Sequence, residues 1–158
     1  MSSTFGLDKF EIHEKLGKGS FGSVYLVIRK DDPNKTKYAM KVLEKDKVLA
    51  QNLIRYAKTE RNVLCLAKHQ FIVGLEYAFQ SYSRLYLIMD YCPGGDMGQA
   101  LAKHRRFDPE MAKIYAAEIV LAIEYLHNND IIFRDLKPDN VVFDEQGHAL
   151  LTDFGLSK

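Results

Sequence analysis

The chain is poor in cysteine, nearly free of net charge, and without any long uninterrupted apolar run. Its two cysteines, Cys65 and Cys92, lack the close spacing of a metal-binding pair, and each sits in an apolar stretch. That usage fits reduced, core-type thiols in a reducing compartment. Twenty-two Lys and Arg stand against 21 Asp and Glu, a formal charge of +1. No electrostatic footprint for nucleic acid or anionic lipid stands out, so any partner must be read from local sites. Charged residues interrupt every apolar stretch before it could span a bilayer. The start, Met1-Ser2-Ser3-Thr4-Phe5, has neither the basic nor the apolar region of a signal peptide, and Ser2 stands where myristoylation needs glycine. The expectation is a soluble, cytoplasmic monomer with no nucleic-acid partner and no membrane insertion. What is present is ample for a core: 47% of the 158 residues are apolar.

The hydrophobic period changes twice. Residues 10–43 read as three antiparallel strands, with turn signals at 17–22 and 31–34. Between 45 and 68, Leu53, Ala57, Leu64 and Ala67 recur at helical spacing and predict a single helix. Residues 75–79 and 85–89 read as two further strands, and Cys92-Pro93-Gly94-Gly95 breaks the pattern as a linker. A long helix is predicted over 109–127, with Met111, Ile114, Tyr115, Glu118, Ala122 and Leu126 on its periodic face, followed by short strands at 141–143 and 149–152.

Gly17-Lys18-Gly19-Ser20-Phe21-Gly22 matches G-x-G-x-x-G, a pattern that dinucleotide-binding folds share. The dinucleotide version needs a helix after the glycines, whereas Ser23-Val24-Tyr25-Leu26-Val27-Ile28 is rich in strand formers. A glycine-rich hairpin is the better reading, able to lay backbone N–H groups over phosphates, unless it is a plain tight turn. A Walker A loop is excluded, because Ile12 occupies the upstream position that needs glycine. Lys41 falls inside an apolar strand and needs an anion there. Glu60 lies on the apolar stripe of the following helix and is the candidate, the alternative being two unrelated charges.

Phe133-Arg134-Asp135-Leu136-Lys137-Pro138-Asp139-Asn140, followed by Asp153-Phe154-Gly155, completes the set. With the glycine-rich hairpin and the strand lysine, these motifs occur in the order of the eukaryotic serine/threonine protein kinases, which the chain resembles from about residue 10 to its last residue. Tyr91-Cys92-Pro93-Gly94-Gly95-Asp96 and Phe133 before Arg134 resemble the AGC group, kin of the cyclic-AMP-dependent kinase. The resemblance implies an α+β kinase fold. Residues 1–9 would be an N-terminal extension, 10–90 a small lobe of five antiparallel strands plus one helix, 91–95 a linker, and 96–158 the start of a helical large lobe.

It also implies ATP and Mg²⁺ as cofactors and protein Ser/Thr hydroxyls as acceptors. Leu16 and the hairpin residues Gly17, Lys18, Gly19, Ser20, Phe21 and Gly22 would cover the nucleotide. Lys41, paired to Glu60, would hold the α- and β-phosphates, and Asn140 with Asp153 would bind metal. Asp135 would orient the acceptor hydroxyl and take its proton, with Lys137 steadying the γ-phosphate. Val24, Ala39 and Val142 would sandwich adenine, with Met89 behind it and the backbone at Asp90 and Cys92 at its edge; plain core packing is the alternative for the apolar members. Asp96, counted with the nucleotide-binding residues, and Asp139 resemble acidic positions that grip arginines preceding the acceptor; the alternative is that each merely caps the helix or loop after it. Leu64, Leu75, Phe133 and Phe154 resemble the stacked set of active kinases. Tyr56 departs from the His that several AGC members carry a turn before the helix glutamate. The sequence stops three residues after Gly155, before any A-P-E motif, and reads as a fragment of a longer kinase. A nucleotide-binding pseudokinase and a truncated interaction module are the rival readings.

Overall fold

A computed structural model describes residues 6–19, 22–50 and 52–158. The chain forms two compact units, one built from residues up to Arg55 together with Leu75–Tyr91, the other from Tyr56–Gly74 and Cys92–Lys158.

The first unit is a five-stranded antiparallel sheet of β1 (Phe10–Gly19), β2 (Gly22–Arg29), β3 (Lys37–Glu44), β4 (Leu75–Gln80) and β5 (Arg84–Asp90), in the order β1-β2-β3-β5-β4. The predicted strands are all present. Because strand side chains alternate, the sheet has two distinct faces. One carries a buried cluster of Phe10, Val27, Met40, Tyr86 and Ile88. Phe79 stacks between Phe10 and Tyr86, with ring centroids 6.0 and 4.9 Å away. The opposite face receives the odd-numbered residues of β3, Ala39, Lys41 and Leu43. Edge strand β4 alternates half-buried and exposed residues along its whole length, as a half-covered strand must.

The segment after β3 corrects the expectation of one helix. Two form, α1 (Lys45–Ala50) and α2 (Ile54–Leu66). The interruption is local chemistry: Asn52 takes a left-handed φ of 55°, its N–H reaches Leu49 O at 3.0 Å, and Leu53 N–H reaches Val48 O at 2.8 Å, closing the first helix. Asparagine tolerates that conformation better than most residues. Buried Glu60, Val63 and Leu64 mark the inner face of α2.

In the second unit, α3 (Met97–His104) was not predicted from the hydrophobic period. Its eight residues are too few to display one, yet Asp96 caps it, the carboxylate accepting from Gln99 N–H at 2.8 Å. Helix α4 (Pro109–Asn128) begins as its sequence dictates, with Asp108 accepting from Glu110 N–H at 3.0 Å and Pro109 in the first turn. Its buried residues are Glu118, Ala122 and Leu126. Met111 and Ile114, predicted for that face, are instead 42% and 51% exposed, because nothing among the described residues covers the first turns of the helix there. Strands β6 (Val141–Phe143) and β7 (Ala149–Leu151) pair antiparallel, β7 packing on α4 and β6 on α3. Residues 67–74 run along the free edge of β7: Leu151 N–H donates to Phe71 O at 2.9 Å and Val73 N–H to Leu151 O at 3.0 Å.

Candidate functional site

In the first unit, strand register assembles one group. Val24 lies opposite Lys41 across β2 and β3, and Ala39 opposite Met89 across β3 and β5. Val24, Ala39, Lys41 and Met89 therefore share the sheet face that the aromatic cluster does not occupy. Lys41 is 7% exposed there, a charge taken almost wholly out of water. The glycine-rich hairpin approaches by the same register: Gly17 faces Val24, Lys18 faces Ser23, and Gly19 faces Gly22, with Leu16 exposed at its base. No helix follows the glycines, in accord with the hairpin reading. A Cβ on Gly22 would lie 1.8 Å from Val42 O, so only glycine lets β2 run this close to β3. The candidates Ser20 and Phe21 lie outside the described residues. Asp90 ends β5 and is exposed.

The second unit holds the densest polar cluster. The Asn140 amide nitrogen donates to the Asp135 backbone carbonyl at 2.9 Å and to Asp135 Oδ2 at 2.8 Å. Lys137 Nζ donates to the same Oδ2 at 3.1 Å, and this bond holds the ammonium's pKa above its ordinary value. Asn140 is 4% exposed, whereas the Asp135 and Lys137 side chains are 23% and 48% exposed. The cluster thus has a buried strut and an accessible working edge. Asn140 also accepts at its carbonyl from Thr152 N–H at 3.0 Å, which brings the start of β6 to the residue preceding Asp153. Asp153 itself adopts a left-handed φ of 65°, an uncommon conformation for a non-glycine residue that turns the chain sharply after β7.

The donor set suits a hard divalent cation. With its amide nitrogen committed to Asp135, Asn140 has its amide oxygen to offer, and Asp153 adds carboxylate oxygens; both are hard donors of the sort Mg²⁺ takes. Among the described residues no group of three or more His, Cys, Asp or Glu side chains could hold a metal. Phosphate and water oxygens would have to complete the sphere, the usual arrangement for Mg²⁺ at a nucleotide.

The loop before Asp135 is braced against the segment after Asp153. Arg134, at φ 64°, donates from Nε to Leu156 O at 2.6 Å and from Nη2 to Ser157 O at 3.4 Å. Ile132 and Lys158 exchange backbone hydrogen bonds at 2.8 and 3.0 Å. The Phe133 ring meets Phe154 edge-on at 5.1 Å, and both are buried. Leu64 is likewise buried, in α2, with Glu60 at 2% exposure on the same helix; Leu75 and half-buried Tyr56 belong to β4 and α2.

On the opposite side of β6, Val142 bridges to Asp96, while Gly94 N–H donates to Phe143 O at 3.0 Å and Phe143 N–H to Gly95 O at 2.9 Å. Cys92, half-buried and not in a disulfide, opens this stretch. Asp96 and Asp139 converge on Gly98: a Cβ there would be 3.1 Å from Asp96 Oδ1 and 3.3 Å from Asp139 Oδ1. Asp96 does cap a helix, as the alternative reading of that residue has it. One participant was not recognised from the sequence. Glu118 reads there only as part of the α4 stripe, yet it is a buried carboxylate bound to both residues at the start of β7. A glutamate amid apolar positions four residues apart was the available signal.

The protein kinase domain family matches residues 10–158 of the chain. It is 50% identical to Protein kinase 3 of Dictyostelium discoideum, over 96% of this chain and 16% of that protein. It is 44% identical to the serine/threonine-protein kinase AtPK1/AtPK6 of Arabidopsis thaliana, over 100% of this chain and 34% of that one. To the human ribosomal protein S6 kinase alpha-6 it is 48% identical, over 95% of this chain and 20% of the relative. The chain thus spans about a third or less of the length of these relatives.

Proposed function

The chain belongs to the protein kinase domain family, AGC-like in its relatives, and on that premise we propose that it transfers the γ-phosphoryl group of ATP to Ser or Thr hydroxyls of proteins. The observation that carries the proposal is the hydrogen-bonded cluster of Asp135, Lys137 and Asn140, tied by backbone to the residue before Asp153. Phosphoryl transfer asks the protein mainly to position the triphosphate, its metal and the acceptor.

Each residue group supplies one of these. Residues 10–90 serve as the small lobe, 91–95 as the linker and 96–158 as the start of the large lobe. The hairpin from Leu16 to Gly22 lays its backbone over the phosphates. Lys41 binds the α- and β-phosphates, an assignment supported by the burial of its charge, which needs an opposite one, and Glu60 is the buried acidic member of the proposed set. Val24, Ala39 and Met89, gathered on one sheet face, pack on the adenine, and Val142 and the backbone at Asp90 and Cys92 are assigned to the same ring by resemblance to the family. Asn140 and Asp153 hold Mg²⁺, which when bound neutralises phosphate charge. Asp135 accepts the proton of the attacking hydroxyl, and Asn140 holds that carboxylate at a fixed angle. Lys137, kept cationic beside it, faces the γ-phosphate as charge redistributes.

The closeness of Asp96 and Asp139 about Gly98 supports a preference for acceptor peptides with arginine upstream, since paired carboxylates suit guanidinium groups. Asp96 can serve there while it caps α3, because one oxygen remains for a ligand. That neither Cys65 nor Cys92 is in a disulfide supports a reducing, cytoplasmic setting. No helix among the described residues is long and apolar enough to cross a membrane.

The test is phosphoryl transfer from ATP to a serine peptide with arginines before the acceptor, compared with the Asp135→Asn variant. Transfer by the parent, reduced about 10²- to 10⁴-fold in the variant, supports the proposal. Mg·ATP binding with no transfer by either protein would favour the pseudokinase reading.

A further inference from the structure

Glu118 sits in the middle of α4 at 5% exposure and spends its carboxylate on two consecutive residues of the β6–β7 hairpin. Oε2 accepts from Ala149 N–H at 2.8 Å, and Oε1 lies 2.6 Å from His148 Nδ1. An ionised carboxylate only accepts, so this pair needs the proton on Nδ1. Burying a carboxylate is costly, and a leucine would pack as well in a helix–strand interface. What leucine could not do is fix the start of β7 in direction and register.

That direction matters because of what the hairpin carries. Asn140 immediately precedes β6, and Asp153 follows β7 after a single intervening residue. Thr152 N–H closes the two ends together on Asn140 O at 3.0 Å. Strand β7 has three residues, all in register with β6, and on its other edge the last, Leu151, is held by Phe71 and Val73. Glu118 holds the remaining end. At a rise of about 3.3 Å per residue, Ala149 lies roughly 13 Å along the chain from Asp153, and the covalent path from the residues Glu118 holds to that metal ligand runs along the strand.

We propose that Glu118 is a positioning residue for the Asn140–Asp153 pair, setting the Mg²⁺ dependence of nucleotide binding without touching nucleotide or metal. This rests on the ATP- and Mg²⁺-binding function proposed above. Partners of metal ligands beyond direct contact commonly tune metal affinity by 10- to 100-fold, and here the tuning passes along a three-residue strand.

The experiment titrates ATP into the chain in EDTA and at a series of Mg²⁺ concentrations, for the parent, Glu118→Gln and His148→Phe. Gln keeps the shape of Glu118 but presents an amide nitrogen to one of the two donors. His148 is 51% exposed at its side chain, so its replacement removes one bond at a site where folding tolerates change. The expected result is an unchanged affinity for ATP in EDTA and a Mg²⁺ midpoint raised about 10-fold in Glu118→Gln, with a smaller rise in His148→Phe. A Mg²⁺ midpoint equal to the parent's in whichever variants fold, even with a lower melting temperature, would show Glu118 to be structural only and overturn the proposal. A parent that binds ATP no better with Mg²⁺ than without would overturn this inference and the functional reading together.

Discussion

The Asn140 side chain clasps Asp135 twice, at the backbone carbonyl and at Oδ2, so that a buried amide orients an accessible carboxylate. One residue thereby links the proposed general base to the proposed metal site. Its amide nitrogen faces Asp135, which leaves its amide oxygen for the proposed metal.

Replacing Asn140 with Asp separates these two duties. The variant keeps an oxygen for the metal but sets a second carboxylate against Asp135 in place of a donor. The expected outcome is a loss of about 1–3 kcal/mol of stability at neutral pH, from a buried acceptor set against the acceptors of Asp135. Acid should narrow the deficit, because protonating either carboxylate restores a donor. Denaturant melts of parent and variant across a pH series measure this; equal stability at neutral pH would contradict the orientation described for Asn140.

The glycine-rich hairpin offers a contrast within one motif. A Cβ at Gly22 meets Val42 O at 1.8 Å, whereas one at Gly17 meets nothing within 4 Å. Gly22→Ala should lower stability by about 1–3 kcal/mol, the usual range for overpacking, by prying β2 from β3. Gly17→Ala should leave stability nearly unchanged while altering nucleotide affinity. Paired melts and ATP titrations of the two variants check this, and equal stability losses would refute it.

His148 gives the fold a pH dependence of known sign. Its bond to Glu118 raises its folded pKa above 6.5, with Asp144 of its own turn adding to the shift and the uncharged Phe71 ring, 5.9 Å away, as its other neighbour. A raised folded pKa means that the protonated ring contributes stability fully below about 6.5, a contribution lost as pH rises through the folded value. The melting-temperature advantage of the parent over His148→Phe should be largest just below pH 6.5 and should shrink at higher pH. An advantage that grows with pH would contradict the assignment.

Asp139 can be tested apart from the helix that Asp96 caps. Asp139→Asn should weaken the preference for arginine upstream of the acceptor while leaving turnover of a peptide without arginine unchanged. Rates on matched peptides measure it, and an undiminished preference would remove Asp139 from the acceptor site.

Much of this was legible in the sequence because the relevant signals are short and local. Alternation in 10–43 and 75–89 gave the five strands, Pro109 marked the start of α4, and Gly17 to Gly22 followed by strand formers marked a hairpin. The break between α1 and α2 was hidden because the stripe that predicts one helix, Leu53, Ala57, Leu64 and Ala67, lies wholly after Asn52 and carries no information about the residues before it. Helix α3 was hidden by its length. The exposure of Met111 and Ile114 depends on what lies beside α4, which no helical period reveals. Glu118 was misjudged for the opposite reason. Its place on the stripe was plain, but its partners, His148 and Ala149, are 30 and 31 residues away and meet it only through the tertiary fold.

The central claim, that these residues bind ATP through Mg²⁺, is tested most directly by calorimetric titration of ATP into the chain with and without Mg²⁺, alongside Asp153→Asn and Lys41→Met. The account predicts saturable binding that Mg²⁺ strengthens, a loss of that strengthening in Asp153→Asn, and weaker binding in Lys41→Met under both conditions. Binding that is absent in the folded parent, or that is indifferent to Mg²⁺ and to both substitutions, would contradict it.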